Sequence, residues 1–363
     1  MTRPSSADVR PLSPEDDDSA DSRATPIYAL VRRAEFIGGT LAAVTGGIVV
    51  GAAILYLAGA NPLDGYWTII SSSLGSSTGL TQMAIGLVPL LIIALGLAVA
   101  FEARAFNVGA EGQFMLGAAA GGVTAIFLDG VPGVLIIIAS LLAGVIAGGA
   151  WGYLPGAMRA QLGANEVITS LLLNYVAIFG YEYLIRKPVR AEGSHYPQSE
   201  TIPENSFLPS IPGTSVHIGL LIAIGLVPVT AYLLRHTRFG VRLTATGHGR
   251  DTAQAVGINT SRTITQSMTF SGATAGLAGA VQILGVQHML QSSISSGFGF
   301  TAIIVALLGR NRPLGILVAG VFISALDVGG SALQVTQGIP TSAMATVMAL
   351  FILFLLLTRR VGG

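Results

Sequence analysis

Residues 80–117 read "LTQMAIGLVPLLIIALGLAVAFEARAFNVGAEGQFMLG", and the reading of this stretch decides the fold. Its first part, 80–101, is uncharged and long enough to cross a hydrocarbon core of ~30 Å, which takes about 20 helical residues. Glu102, Arg104, Asn107, Glu111 and Gln113 then follow within a dozen positions, before another apolar run. An inner loop needs only a turn and Arg104, and Glu102 with Arg104 reads as a charge pair anchoring that turn at the cytoplasmic surface. "NVGAEGQ" asks for more. The apolar span after it, 112–128, is short for the same core. The spacing predicts a broken helix in which 107–113 re-enter the membrane before the span resumes. Gly109 and Gly112 supply the backbone freedom for the break. Such breaks survive only where they line a cavity or are covered by protein, and in transporters they often hold substrate. Asn107, Glu111 and Gln113 are therefore candidates for a substrate path.

The whole chain extends this pattern. Of its 363 residues 52% are hydrophobic and only 10% charged, against roughly 25% charged in soluble domains. With 47 glycines, this composition is that of a polytopic helical membrane protein. Alternating ten-residue segments, the mark of a membrane barrel, are absent. There is no cysteine, which excludes disulfides and thiolate metal sites. Residues 1–30 are polar, acidic and rich in Pro and Ser, and are expected to form a disordered cytoplasmic tail. Residues 36–60 are uncharged for too long to be a cleaved signal and read as a retained first span.

Spans are expected at 36–60, 80–101, 112–128, 133–157, 166–185, 216–234, 263–287, 298–309, 313–330 and 341–358. The expected fold is all-α, with about ten transmembrane helices, some broken or re-entrant. The pair 298–309 and 313–330, joined by "GRNRP", reads either as a re-entrant hairpin or as two tilted spans. Arginine placement sets the orientation. Arg32, Arg33, Arg104, Arg159, Arg235, Arg238, Arg242, Arg250, Arg262, Arg310, Arg312, Arg359 and Arg360 all fall on one side, which puts both termini in the cytoplasm. The loops 61–79, 129–132 and 286–297 fall outside and carry no Arg or Lys. The outer loop 186–215 breaks the rule with Arg186, Lys187 and Arg190, and its five prolines suggest an ordered cap or docking surface.

The inner loop 235–262 contains "GHGRDTAQAVGIN". Gly249 or Asp251 can start a short helix, Thr252 to Val256 form its body, and Gly257 suits the left-handed position that ends it. So short a helix is unstable alone in water. It either lies on anionic headgroups or docks on another protein.

In "GANEVITSLLLNYVAIFGYEYLIRK", Glu166, Ser170, Asn174 and Ala177 share one helix face, and Tyr181 continues the stripe. This strip either lines a path for a polar ring compound or ties helices together through hydrogen bonds. Glu166 alternatively caps its own helix. Asp327, beside Gly329 and Gly330 near the expected outer end of its span, reads as wet. Gly272, Gly276 and Gly279 read as close helix packing.

Several long motifs, in order over roughly 36–358, carry a family resemblance. "TRFGVRLTATGHGRDTAQAVGINTSRTITQSMTFSGATAGLAGAVQ" and "GFGFTAIIVALLGRNRPLGILVAGVF" resemble the permease subunits of bacterial ABC importers, in the family serving branched-chain amino acids, simple sugars and nucleosides. "FNVGAEGQFMLGA" and "GANEVITSLLLNYVA" resemble the nucleoside or general simple-sugar subgroup. The resemblance implies an inner-membrane subunit that pairs with a second homologous permease. It also implies a cytoplasmic ATPase carrying ATP and Mg, and a binding lipoprotein outside. It implies that the short helix couples to the ATPase, through Gly247, Arg250, Asp251, Ala253, Val256, Gly257 and Ile258. Consistently, the chain has no GxxxxGK[ST] phosphate loop, and its one lysine, Lys187, is placed outside. It is expected to hold no cofactor or metal of its own and to bind no nucleic acid.

Two other classes compete. An ion-coupled secondary transporter would use Glu111 or Glu166 as its ion site. An intramembrane enzyme would need a constellation that the five scattered histidines do not suggest.

Overall fold

The computed structural model describes residues 45–340 together with 346, 349 and 350. The chain divides into two units, residues 1–54 with 345–363, and residues 55–344. The tail 1–30, the start of the first expected span and nearly all of the last lie outside the described residues.

The described helices are α1 (Thr45–Leu57), α2 (Pro62–Leu74), α3 (Ser77–Glu102), α4 (Ala110–Phe127), α5 (Gly133–Leu162), α6 (Glu166–Arg186), α7 (Gly219–His236), α8 (Arg238–His248), α9 (Arg250–Ala255), α10 (Thr260–Gln282), α11 (Phe298–Leu308) and α12 (Pro313–Gln337). A single π turn, Ile283–Gln287, continues α10. Only isolated β-bridges occur among the described residues. Six helices are long and apolar enough to cross a membrane: α3, α5, α6, α7, α10 with its π turn, and α12. Counting α1 with α2 as one broken span makes seven. The expectation of about ten exceeds this because α4, as long as α7, carries Glu111 and Gln113 in its first turn, α11 is short, and 341–358 is largely undescribed. At 11 residues, α11 rises only ~16 Å, about half a core thickness. Arg310 and Asn311, both at positive φ, make the tight turn to α12. So α11 is about half the length of a span, whereas α12, at 25 residues, is long enough for a full one.

Two boundaries differ from expectation. Residues 61–79, read as an outer loop, contain α2. Asn61 caps it by accepting from the Leu63 N–H at 3.1 Å, and Pro62 occupies its first position, where no N–H is needed. Helix α12 runs to Gln337 rather than 330, because Gly329 does not end it but packs against Ile69. Asp327 consequently lies ten residues, about 15 Å, before the last residue of α12.

The centre is α3, whose residues 87–101 are all buried. Around it, α4, α5 and α10 meet through small residues. A Cβ at Gly272 would strike the Gly148 carbonyl oxygen, one at Gly276 that of Gly144, and one at Gly279 that of Phe114. In lipid there is no hydrophobic drive between helices, so contact comes from close backbone approach of this kind. The reading of these glycines as packing holds.

Candidate translocation and coupling sites

The break after α3 is covered by protein. The chain leaves α3 through Arg104 at φ 51° and reaches α4 at Ala110. Asn107 is fully buried and Gln113 nearly so. Their side-chain amides exchange hydrogen bonds: Asn107 Nδ2 donates to Gln113 Oε1 at 2.8 Å, and Gln113 Nε2 donates to Asn107 Oδ1 at 3.1 Å. Asn107 Nδ2 also donates to Ser271 Oγ on α10 at 3.0 Å, and its Oδ1 accepts from the Gly109 N–H. On α6, Asn174 donates to the Val108 carbonyl and accepts from the Gly112 N–H, both at 2.8 Å. Ser170 accepts from the Val108 N–H at 3.2 Å. The strip on α6 and the break thus satisfy each other. The expected shared face is real, and these amides hold the non-helical backbone before α4 against α6 and α10. Backbone groups at this depth need such partners.

The carboxylates are also engaged. Glu111, nearly buried, accepts from the Gly299 N–H at 2.7 Å and hydrogen-bonds Ser295. It thereby sits at the N-terminal end of α11, where free N–H groups and the helix dipole favour an anion. Glu166 forms an ion pair with Arg159, and Arg159 also donates to the Arg104 carbonyl at 2.9 Å. The N-cap of α6 is Asn165, whose side chain accepts from Val167 and Ile168, and Glu166 follows it as the acidic residue of the first turn, where the helix dipole favours an anion. Glu102 accepts from Thr244 Oγ1 on α8 at 2.7 Å. The expected Glu102–Arg104 pair is therefore replaced by links from the end of α3 to α5, α6 and α8.

Tyr181 is fully buried. Its hydroxyl donates to the Gln291 carbonyl at 3.0 Å and accepts from the Gln291 N–H at 3.1 Å. It clamps the segment after α10. Loop 186–215 packs on that same segment: Ile202 N–H donates to the His288 carbonyl and Leu208 N–H to the Leu284 carbonyl.

Sequence reading missed one cluster here. Phe207 stacks on His288 with ring centroids 3.7 Å apart. His217 accepts from the Gly219 N–H through Nδ1. Among the described residues, His217 Nε2 and His288 Nδ1 are buried without a hydrogen-bond partner. Burial lowers the pKa of both, and the charge of His288 lowers that of His217 further. Both are neutral at pH 7. As pH falls below 6.5, the ordinary histidine value, the unpacked loop takes up protons that the packed one refuses, so packing weakens. Amide exchange at Ile202 and Leu208, corrected for intrinsic rates, is expected to be faster at pH 5.5 than at 7.5, with a smaller difference in His288→Gln. Equal protection at both pH values would refute this.

The coupling candidates divide. Helix α9 exists, with Gly249 before it and Gly257 after it at φ 83°. The Ile258 N–H closes the end on the Ala253 carbonyl at 2.9 Å, a left-handed cap of the expected type. Arg250, Asp251, Val256 and Gly257 are exposed, and Ile258 is half-buried. Ala253 is buried on the inner side. Gly247 belongs instead to α8, which was not foreseen. A Cβ there would strike the Glu102 carbonyl oxygen, so Gly247 lets α8 lie against the end of α3. Helix α8 links α9 to α3 and to α10.

Residues 79–357 match the family described as the permease component of branched-chain amino acid transport systems. The chain belongs to that family. It is 35% identical over 320 residues to the glucose ABC transporter permease protein TsgB13 of Haloferax volcanii, covering 85% of this chain and 84% of that one. It is 33% identical to the nucleoside ABC transporter permease protein NupB of Lactococcus lactis, over 87% of this chain and 89% of that protein. It is 29% identical to the guanosine ABC transporter permease protein NupP of Bacillus subtilis, over 90% and 94%. This permease is a multi-pass, all-α membrane protein and a transporter subunit.

Proposed function

We propose that this permease forms the path of an ATP-driven importer for a nucleoside or related sugar compound, in a bacterial plasma membrane. The observation that carries the reading is near full-length similarity to permeases named for glucose, nucleosides and guanosine, all uncharged and rich in polar groups. A separate ATPase holds ATP and Mg and receives α9 through Arg250, Asp251, Val256 and Gly257. A binding lipoprotein delivers substrate at loop 186–215. The second subunit is a homologous permease. In L. lactis and B. subtilis this chain resembles two permeases with the same substrate name, NupB and NupC, NupP and NupQ, which supports a heterodimer. Anionic lipid surrounds the cytoplasmic arginines.

Engagement of both carboxylates weighs against ion-coupled transport, since Glu166 is held by Arg159 and Glu111 by α11. The test is uptake of labelled guanosine, ribose, glucose and leucine in cells with and without this gene. Gene-dependent uptake of a nucleoside or sugar is expected. Uptake of leucine alone would overturn the substrate assignment.

A further inference from the structure

With the amides of the break consumed, the open polar surface of the permease lies elsewhere. It starts in "SSSLGSSTGLTQ", residues 71–82, at the N-terminal end of α3. That end is opposite Glu102, where Arg104, Arg159 and α8 gather. Two clefts meet there. One, of about 720 Å³, lies between the start of α3 and the tip of the outer loop at Thr214 and Ser215. The other, of about 530 Å³, lies between the end of α2, the start of α3 and α12 around Ser331. Thr78 and Gln82 line both.

Three properties set this surface apart. Among the described residues, neither cleft has a charged one in its lining. Thr78 and Gln82 are exposed on a membrane-spanning helix, and exposed polar side chains facing hydrocarbon would be left unsatisfied. And, unlike Asn107, Gln113 and Asn174, the side chains of Thr78, Gln82 and Ser331 make no hydrogen bond among the described residues. Hydroxyls and a primary amide both donate and accept. They suit a neutral ligand with several hydroxyl groups, whereas an amino acid brings an ammonium and a carboxylate that need charged partners when desolvated.

We infer that Thr78, Gln82 and Ser331 are substrate-contacting residues at the outer mouth of the path, selecting neutral, hydroxyl-rich solutes. This rests on the proposed function for the identity of the solute. Access can be tested independently of it, because the chain has no cysteine and a single introduced thiol is the only one in this subunit. In the assembled transporter, Thr78→Cys and Gln82→Cys are expected to react with a membrane-impermeant maleimide added outside, and Asn107→Cys and Gln113→Cys are not. Gln82→Leu is expected to lower guanosine uptake about tenfold, the worth of one or two hydrogen bonds to the substrate, while Gln82→Asn retains part of it. Unreactive thiols at 78 and 82 would overturn the mouth. Reactive thiols with full uptake by Gln82→Leu would overturn the substrate contact. Reactive thiols in a transporter whose wild type moves no nucleoside or sugar would overturn the solute assignment alone.

Discussion

Gly276→Leu is expected to leave almost no folded permease. Gly276 lies where α10 crosses α5, and the position of its missing Cβ is occupied by the Gly144 carbonyl oxygen and the Gly148 Cα. Those are backbone atoms and cannot rotate away, so the helices must part. Gly117 on α4 meets the Gly276 backbone from another side, so relief in one direction tightens another. Overpacking by even a methylene costs about 1–3 kcal/mol in well-packed interiors, and domains are stable by only about 5–15 kcal/mol. Gly276→Ala is expected to lower the melting temperature in detergent, and Gly276→Leu to abolish the monodisperse peak in size exclusion. Gly225→Ala in α7 serves as the contrast. A Cβ there meets nothing within 4 Å, and the change should gain up to about 1 kcal/mol of helix propensity. A Gly276→Leu protein as stable as wild type would refute the packing.

Gly257→Asp acts at the other extreme, with little effect on the fold and a large one on work. Gly257 holds φ 83° with open space where its Cβ would be. Asp tolerates the left-handed region better than most residues, at a cost within about 1–2 kcal/mol. The change nevertheless puts a charge on the exposed end of α9, the face proposed to seat on the ATPase. The variant is expected to insert and melt nearly as wild type, to keep ATP hydrolysis, and to lose transport by at least about tenfold, a coupling defect of ~1.4 kcal/mol or more. Closure of the ATPase pair would then no longer move α8 and α9 as one lever against the end of α3. Unimpaired uptake would remove α9 from the coupling role.

How much of this was legible in the sequence depended on whether the partner was local. Long apolar runs place α3, α6, α7 and α10 with its π turn to within about three residues and α5 to within about five. The left-handed end of α9 follows from Gly257 because a helix end is a local matter. That a break follows α3 was legible from the polar residues between two apolar runs, but it lies at 103–109, and Ala110 to Gln113, read as part of it, form the first turn of α4. The role of the break was not legible. Whether Asn107 faces a solute or Gln113 and Ser271 depends on α10, 164 residues away, and the polarity of an amide is the same in either case. The ion-pair partner of Glu166 was hidden for the same reason: Arg159 lies in the preceding helix, across a turn of unknown geometry. Helix α2 was hidden by its own composition, since the serines that end it look like loop. Gly329 and Gly330 look like a helix end, but Gly329 is a contact with α2. His217 and His288 meet only because the outer loop folds back onto the π turn.

The central claim is that this subunit is a path powered from outside itself. The direct measurement is guanosine uptake into proteoliposomes holding the permease with its second permease, its ATPase and its binding protein, with ATP enclosed on the ATPase side or left out, and with a proton or sodium gradient imposed or absent. Uptake that requires ATP and the ATPase, and ignores both gradients, is the predicted result. Uptake driven by a gradient in the absence of the ATPase would contradict it.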